Sequence, residues 1–389
     1  MSKTIRIRKS SSIKLLKKIQ IIDKEGKVKY DSGLGTAHSW TSEMIKQLVS
    51  LFSDRSITPT FNEIDGGTTV IATKTQWDNG NFYGVGRVDG DAGDDDEGII
   101  VGYIDTDLWP ESYEDRLLPG RISHGTGSGE LEYAALQWDA AAVVGSNVDW
   151  VLYRDFTNSS GATVTVNEIG IYALVDYSGG GEYVCYARDV LPDEIDIPSG
   201  DILRVTYVYR TNPADGLVLQ FLQVVSCIQT WRTESPTINN TDGNPDSITG
   251  TVNWEDSNYP CDVFGDETDI NKGIVLGSDD TAVTNNDYDL GTPIEHGTGA
   301  GQLYYTGHKA SELKEEEGGT PEVIQYSQWT FHRYFINMSG GSITVKEIGW
   351  KCQIDGGTYA LLGRIVLDTP IVLPDSGKLA VALTLKAEP

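Results

Sequence analysis

Sulfur, histidine and long apolar runs are all scarce in this chain. Only four cysteines occur (Cys185, Cys227, Cys261 and Cys352), widely spaced and without a CxxC pair. That spacing excludes a zinc ribbon and a dithiol redox centre. Cys185 and Cys352 lie in strand-like stretches and read as buried thiols, and the spacing leaves a disulfide among the four undecided. Three Met in 389 residues, with few Leu/Ala/Glu/Lys runs, argue against a helical bundle or coiled coil. No stretch approaches the roughly 18 apolar residues of a membrane helix. The segment SIKLLKKIQIID is interrupted by lysines before it reaches signal-peptide length. The expectation is a soluble protein made in a cytoplasm, with no membrane partner. Catalytic signatures are missing too. There is no GxxxxGK[ST], GxSxG or HExxH, and GTGSG and GTGAG have no Lys-Ser/Thr behind them. The chain is expected not to be an enzyme, although a carboxylate pair of the glycosidase kind is not readable from sequence among 57 acids.

What is present is the vocabulary of strands and turns. Val, Ile, Thr, Tyr, Gly, Asp and Asn dominate, with 43 Gly, 9 Trp, 19 Tyr and 8 Phe. An apolar share of 39% supports real cores and excludes a wholly disordered chain. The length corresponds to two or three domains at roughly 150 residues each. Charge is uneven. The net charge is −27, yet the first 20 residues carry seven basic side chains and no acid. The other 369 carry 23 basic and 57 acidic residues. Such a body repels nucleic acid, whose binding needs clustered Lys and Arg. Residues 1–12 read as a basic N-terminal arm, with Lys3, Arg6, Arg8 and Lys9 as candidate partner-binding residues; the alternative is a solvated terminus.

The strongest signal is an internal repeat. HGTGSGELEY from His124 and HGTGAGQLYY from His296 share seven of ten positions. WVLYRDFTNSSGATVTVNEIGIYA from Trp150 and WTFHRYFINMSGGSITVKEIGWKC from Trp329 share eleven of 24. GDILRVTYVY and GKLAVALTLK also correspond. The period is far too long for a solenoid or propeller blade, so a domain of about 175 residues is used twice. A boundary is expected near Thr211–Gly216, where Pro, Asn, Asp and Gly cluster. The first repeat then covers 13–210 and the second 211–389.

Each repeat opens on one candidate helix. In TSEMIKQLVSLF, Met44, Ile45, Leu48, Leu51 and Phe52 form a stripe behind an N-cap at Thr41 or Ser42. In LVLQFLQVVSCIQTW, Phe221, Val224, Val225 and Ile228 do the same. The rest alternates with period two between turn signals such as SSG, SGGG, PSG and PDSG. The predicted fold is mainly β: two tandem antiparallel β-sandwich or jelly-roll-like domains, each with one short helix.

Few residues suggest chemistry. In DGDAGDDDEG, Asp89, Asp91, Asp94 and Asp96 are candidate Ca²⁺ ligands, because Ca²⁺ takes hard oxygen donors. The spacing is not that of an EF-hand, and the alternative is a solvated loop held open by self-repulsion. No other cofactor is expected. His124 and His296 open the two HGTG turns, where a ring bonded to backbone is favoured over a ligand or base. Glu168 and Glu347 precede Gly170 and Gly349 in both copies. They are expected to bond a neighbouring loop amide, and the glycines to mark a bulge or a close backbone approach. Trp150 and Trp329 read as core. Trp77, Trp109, Trp138 and Trp254 lie in loop-like contexts open to sugar stacking.

Several of these segments resemble a module of tailed-bacteriophage virion proteins. The similar stretches are KIQIIDKEGKVKYDSG, the helix TSEMIKQLVSLF, GIVLGSDDTAVTNNDYDLGTPIEHG, NMSGGSITVKEIGW and LLGRIVLDTPIVLPDSGKLAVALTL. The likeness is greatest over roughly residues 273–386; in the first repeat GIIVGYIDTDLWPESYEDRLLPGRISHG replaces the middle stretch. The resemblance implies a structural component of the virion, such as a decoration or accessory protein of head, neck or tail. Its implied partners are other virion proteins (capsid, neck or tail subunits), with an oligomeric state in the particle and no nucleic acid. A tail-fibre-type module gripping host glycans is the alternative.

Overall fold

Ile5, Ile7, Ile13, Leu15, Ile19 and Ile21 are all odd-numbered. That period-two pattern is the rule for a strand with one face covered, and it runs through the expected boundary at residue 12. In the computed structural model, which describes residues 4–37, 40–52, 60–70, 83–105, 110–112, 114–176, 182–230, 237–247, 263, 265–310, 314–316, 326–355 and 357–388, these residues belong to one 19-residue strand, β1 (Thr4–Ile22). The expected arm is therefore corrected for residues 4–12. They are sheet, because their apolar side chains alternate in phase with the strand that follows.

The principal elements of the first repeat are then α1 (Ser42–Phe52), β2 (Gly98–Gly102), β3 (Asn147–Thr157), β4 (Val164–Asp176), β5 (Glu182–Ile197) and β6 (Ile202–Thr211). Those of the second are α2 (Leu219–Thr230), β7 (Gly273–Gly277), β8 (Tyr326–Ile336), β9 (Ile343–Asp355), β10 (Thr358–Leu373) and β11 (Lys378–Glu388). The described residues are mainly β, with two short helices, as the composition predicts.

Strand β1 serves both repeats. Its second half pairs antiparallel with β6, from Lys14 opposite Arg210 to Ile22 opposite Ile202. Its first half pairs parallel with β11, from Thr4 beside Lys378 to Lys14 beside Glu388. Strands β3 and β8 flank β6 and β11 antiparallel. The outcome is a sheet of 13 strands among the described residues, with β1 at its centre. Smaller sheets carry β2, β4 and β5 in the first repeat and β7, β9 and β10 in the second. The second repeat passes from β6 to α2 through a single 3-10 turn, Pro213–Asp215, so it has no opening strand of its own. The first half of β1 fills that place.

The turn is built for tightness. The Asn212 side chain accepts from Ala214 N, and Gly216 closes it at φ 81, in the left-handed region that favours glycine. Chain then enters α2 without slack. Helix α1 is capped by Thr41, whose Oγ1 accepts from Glu43 N at 3.3 Å. Helix α1 lies against β5 but also against β8 and β11 of the other repeat; α2 lies against β10 but also against β3. Val88 N donates to Gln229 O at the end of α2, at 2.7 Å. The buried apolar residues accordingly form one cluster, from Ile13 to Ala387, rather than two separate cores.

Candidate functional site

The residues repeated in sequence build the same frame twice. Arg154 on β3 and Arg333 on β8 are both fully buried. Arg154 donates to five backbone carbonyls: Ala134 at 2.7 Å, Glu97 at 2.8 Å, Ile99 at 3.1 Å, Asp91 at 2.8 Å and Asp94 at 2.6 Å. Arg333 does likewise with Thr306, Lys272, Ile274, Asp266 and Asp269, at 2.6 to 3.2 Å. Each guanidinium also lies 4.8 Å from a ring centroid, Tyr133 and Tyr305 respectively. A planar cation with five N–H groups is the side chain able to satisfy five converging carbonyls. Burial draws both guanidinium groups down to about 10.

This cage corrects the expectation of a Ca²⁺ loop. Asp89, Asp91, Asp94 and Asp96 do not converge on one point. Asp91 and Asp94 give their backbone carbonyls to Arg154. The Asp94 carboxylate accepts from Asp96 N at 2.8 Å and Glu97 N at 3.2 Å, and Asp96 pairs with Arg121. The backbone N–H of Asp89 goes to Glu97 Oε1 at 2.9 Å. Among the described residues no group of three His, Cys, Asp or Glu is placed to hold a metal ion. The loop's oxygens turn to an internal arginine, which neutralises its centre. Burial pushes the Glu97 carboxyl up to about 7, against the opposing pull of Arg87.

The other repeated residues are framework as well. The Nδ1 atoms of His124 and His296 accept from Tyr133 N and Tyr305 N, each at 3.1 Å. Glu168 accepts from Gly120 N at 2.8 Å and from Arg188 Nε at 3.1 Å. Glu347 accepts from Thr292 N at 3.0 Å and from Arg364 Nε at 2.6 Å. Gly170 lets backbone approach: a Cβ there would stand 2.5 Å from Ala187 O. Trp150 and Trp329 are buried. Trp138 is half-buried against the core, while Trp77, Trp109 and Trp254 lie outside the described residues.

Glu63, also buried, sits near two other acids. Burial first, then the charges of Glu182 and Asp65, raise its carboxyl from 4.5 to about 7. A raised carboxyl means that the folded chain holds a proton the unfolded chain has released. Stability from this group is full below about 4.5 and falls as pH rises through 7. Glu63→Gln is therefore expected to raise the urea midpoint at pH 8, by an amount equivalent to about 1–3 kcal/mol, and to leave it unchanged near pH 4. Equal shifts at both pH values would refute this.

A surface of different character arises where β1, β11 and β8 lie side by side. Residues in register share a face: Arg6 beside Ala380 and Tyr334, Arg8 beside Ala382 and His332. Arg6, Arg8, Lys14 and Lys378 are exposed on it, and none has a carboxylate partner among the described residues. Of the expected arm residues, Lys9 points to the inner side, 4.0 Å from Asp368, and Lys3 lies outside the described residues. The first repeat provides the control. There Arg204 is paired by Asp155 at 2.7 Å and Arg210 by Asp149 at 2.5 Å. The positions of Asp149 and Asp155 are taken by Gln328 and Tyr334 in the second repeat. The outer sheet face is thus neutralised in one repeat and cationic in the other. Sequence reasoning found the basic residues but not this surface, whose members lie more than 300 residues apart. Alternation in β1 was the signal available.

Among the described residues no helix is long and apolar enough to cross a membrane. Compared with known protein families, with curated proteins and with solved structures, the chain gives no significant match.

Proposed function

We propose that this chain is a non-enzymatic structural component of a tailed-phage virion, a decoration or accessory protein of head, neck or tail, held in the particle by protein–protein contacts. The observation that carries the reading is the cationic sheet face of the second repeat, where Arg6, Arg8 and Lys378 have no carboxylate partner among the described residues, in a chain of net charge −27. Unpaired cations on a rigid, otherwise acidic surface give a directed and salt-sensitive contact with an acidic neighbour. The acidic remainder of the chain opposes phosphate backbones, which favours protein over nucleic acid as the partner. A sheet running through both repeats, with each acidic loop tied to a buried arginine, supplies the stiffness that such a part needs. This reading agrees with the resemblance of the repeats to virion modules.

Quantitative mass spectrometry of gradient-purified particles tests it. The wild-type chain is expected at a fixed copy number relative to the major capsid protein. Arg6→Glu/Arg8→Glu is expected to lower incorporation about tenfold or more, since like charges set against an acidic partner cost on the order of several kcal/mol. Absence of the wild-type chain from particles would overturn the virion reading. Undiminished incorporation of the variant would overturn the role of the face.

A further inference from the structure

Charge is divided between the repeats in a complementary way. Where the second repeat shows unpaired cations, the first shows unpaired acids. On β5, Asp193, Glu194 and Asp196 are exposed and have no cation partner among the described residues. Register places Thr369, Pro370 and Val372 at the same positions of β10. Beside these acids lies an open cleft of about 770 Å³, lined by Tyr103, Asp105, Glu111, Asn167 and Glu194. Tyr103 is 47% exposed, and its hydroxyl donates to Glu194 at 3.0 Å. In the second repeat, Lys346 stands where the first has Asn167, and it pairs with Asp280 at 2.8 Å. One repeat supplies a resident cation at this spot; the other has Asn167 there, beside the Glu194 carboxylate and the Tyr103 ring.

We propose that the Arg6/Arg8 face of one copy docks on the Tyr103–Glu194 cleft of a second copy, so that chains associate head to tail. This names the partner of the face described above and rests on that reading only for the face's role in docking. Guanidinium groups suit the cleft, since they bind carboxylates through paired N–H groups and lie on aromatic rings. The two patches belong to different repeats, so the contact is heterologous. Such a contact leaves one patch open at each end and propagates into a ring or a filament.

Sedimentation velocity on the purified full chain tests this directly. At about 10 mM salt, where charges act over roughly 30 Å, wild type is expected to form concentration-dependent oligomers; at about 1 M, where the range is roughly 3 Å, it is expected to be monomeric. Arg6→Gln/Arg8→Gln loses the face and Asp193→Asn/Glu194→Gln loses the cleft edge. Each alone is expected to stay monomeric at low salt. An equimolar mixture of the two is expected to form dimers and stop there, because only one productive contact remains. All four side chains are exposed, and an unchanged urea midpoint for each variant shows that folding is intact. A wild-type chain that remains monomeric at low salt overturns the inference, as do oligomers that survive both pairs of substitutions or a mixture that yields no dimer. Those results leave the virion reading standing on the particle measurement, which does not depend on contacts between copies.

Discussion

Deleting residues 2–12 is expected to release the second repeat from the fold rather than trim a tail. Those residues pair with β11 over most of its length. Without them, β11 presents an unpaired row of N–H and C=O groups, and an open edge of that kind templates association with other chains. Ile5 and Ile7, half-buried against the core, are lost as well, at roughly 1 kcal/mol each. The expected result is hydrogen exchange at β11 and β8 accelerated about a hundredfold, which corresponds to roughly 3 kcal/mol of local opening. Aggregation during purification is expected to accompany it. A synthetic peptide covering residues 1–13, added in trans, is expected to restore protection by taking the vacated place, as strand-addition ligands do. Unchanged exchange after the deletion would show that this half of β1 is a dispensable extension.

The second large effect is expected at Arg333, with Arg154 as its internal replicate. Arg333→Met keeps an apolar stem of similar length but strips donors from five backbone carbonyls. A buried acceptor left unsatisfied costs about 1–3 kcal/mol. Asp266 O keeps its bond from Asp269 N, so four acceptors are left open, and even at the lower limit these cost about 4 kcal/mol, close to the roughly 5–15 kcal/mol of an entire domain. Lysine offers three N–H groups in place of five, so the expected order of urea midpoints is Arg, then Lys, then Met. Tryptophan fluorescence follows the transition, since Trp150 and Trp329 are buried on the same strands as the two arginines. An Arg333→Met midpoint matching wild type would mean that the cage is ornamental. The predicted deficit for Arg154→Met is of similar size, because its five partners correspond one by one.

Much of this architecture was legible from residues alone. Period-two alternation and turn-forming residues identified the β class, and a 3.6-residue stripe behind Thr41 identified α1. The internal repeat marked Glu168 and Glu347, and His124 and His296, as shared framework before any contact was known. The acidic loop misled for a specific reason. Composition draws attention to carboxylates, whereas Asp91 and Asp94 act through backbone carbonyls, a role that any residue type could fill. The basic segment misled by its charge. Seven cations in 20 residues suggest a solvated arm, but in a strand alternate side chains point to opposite faces, so one run carries both Ile5 and Ile7 inward and Arg6 and Arg8 outward.

What the sequence by itself determined is therefore local or periodic: strand and helix identity, the duplication, the caps and turns, and the sites needing glycine. Short-range sterics and side-chain alternation govern those features, and both are written along the chain. Tertiary structure alone decided that β1 would bridge the repeats, pairing antiparallel with β6 and parallel with β11. It also set Arg6 and Arg8 beside Tyr334 and His332. Those outcomes depend on which strand edges remain unpaired once the rest has folded. That is a property of the whole assembly of strands, and it has no counterpart in any window of the sequence.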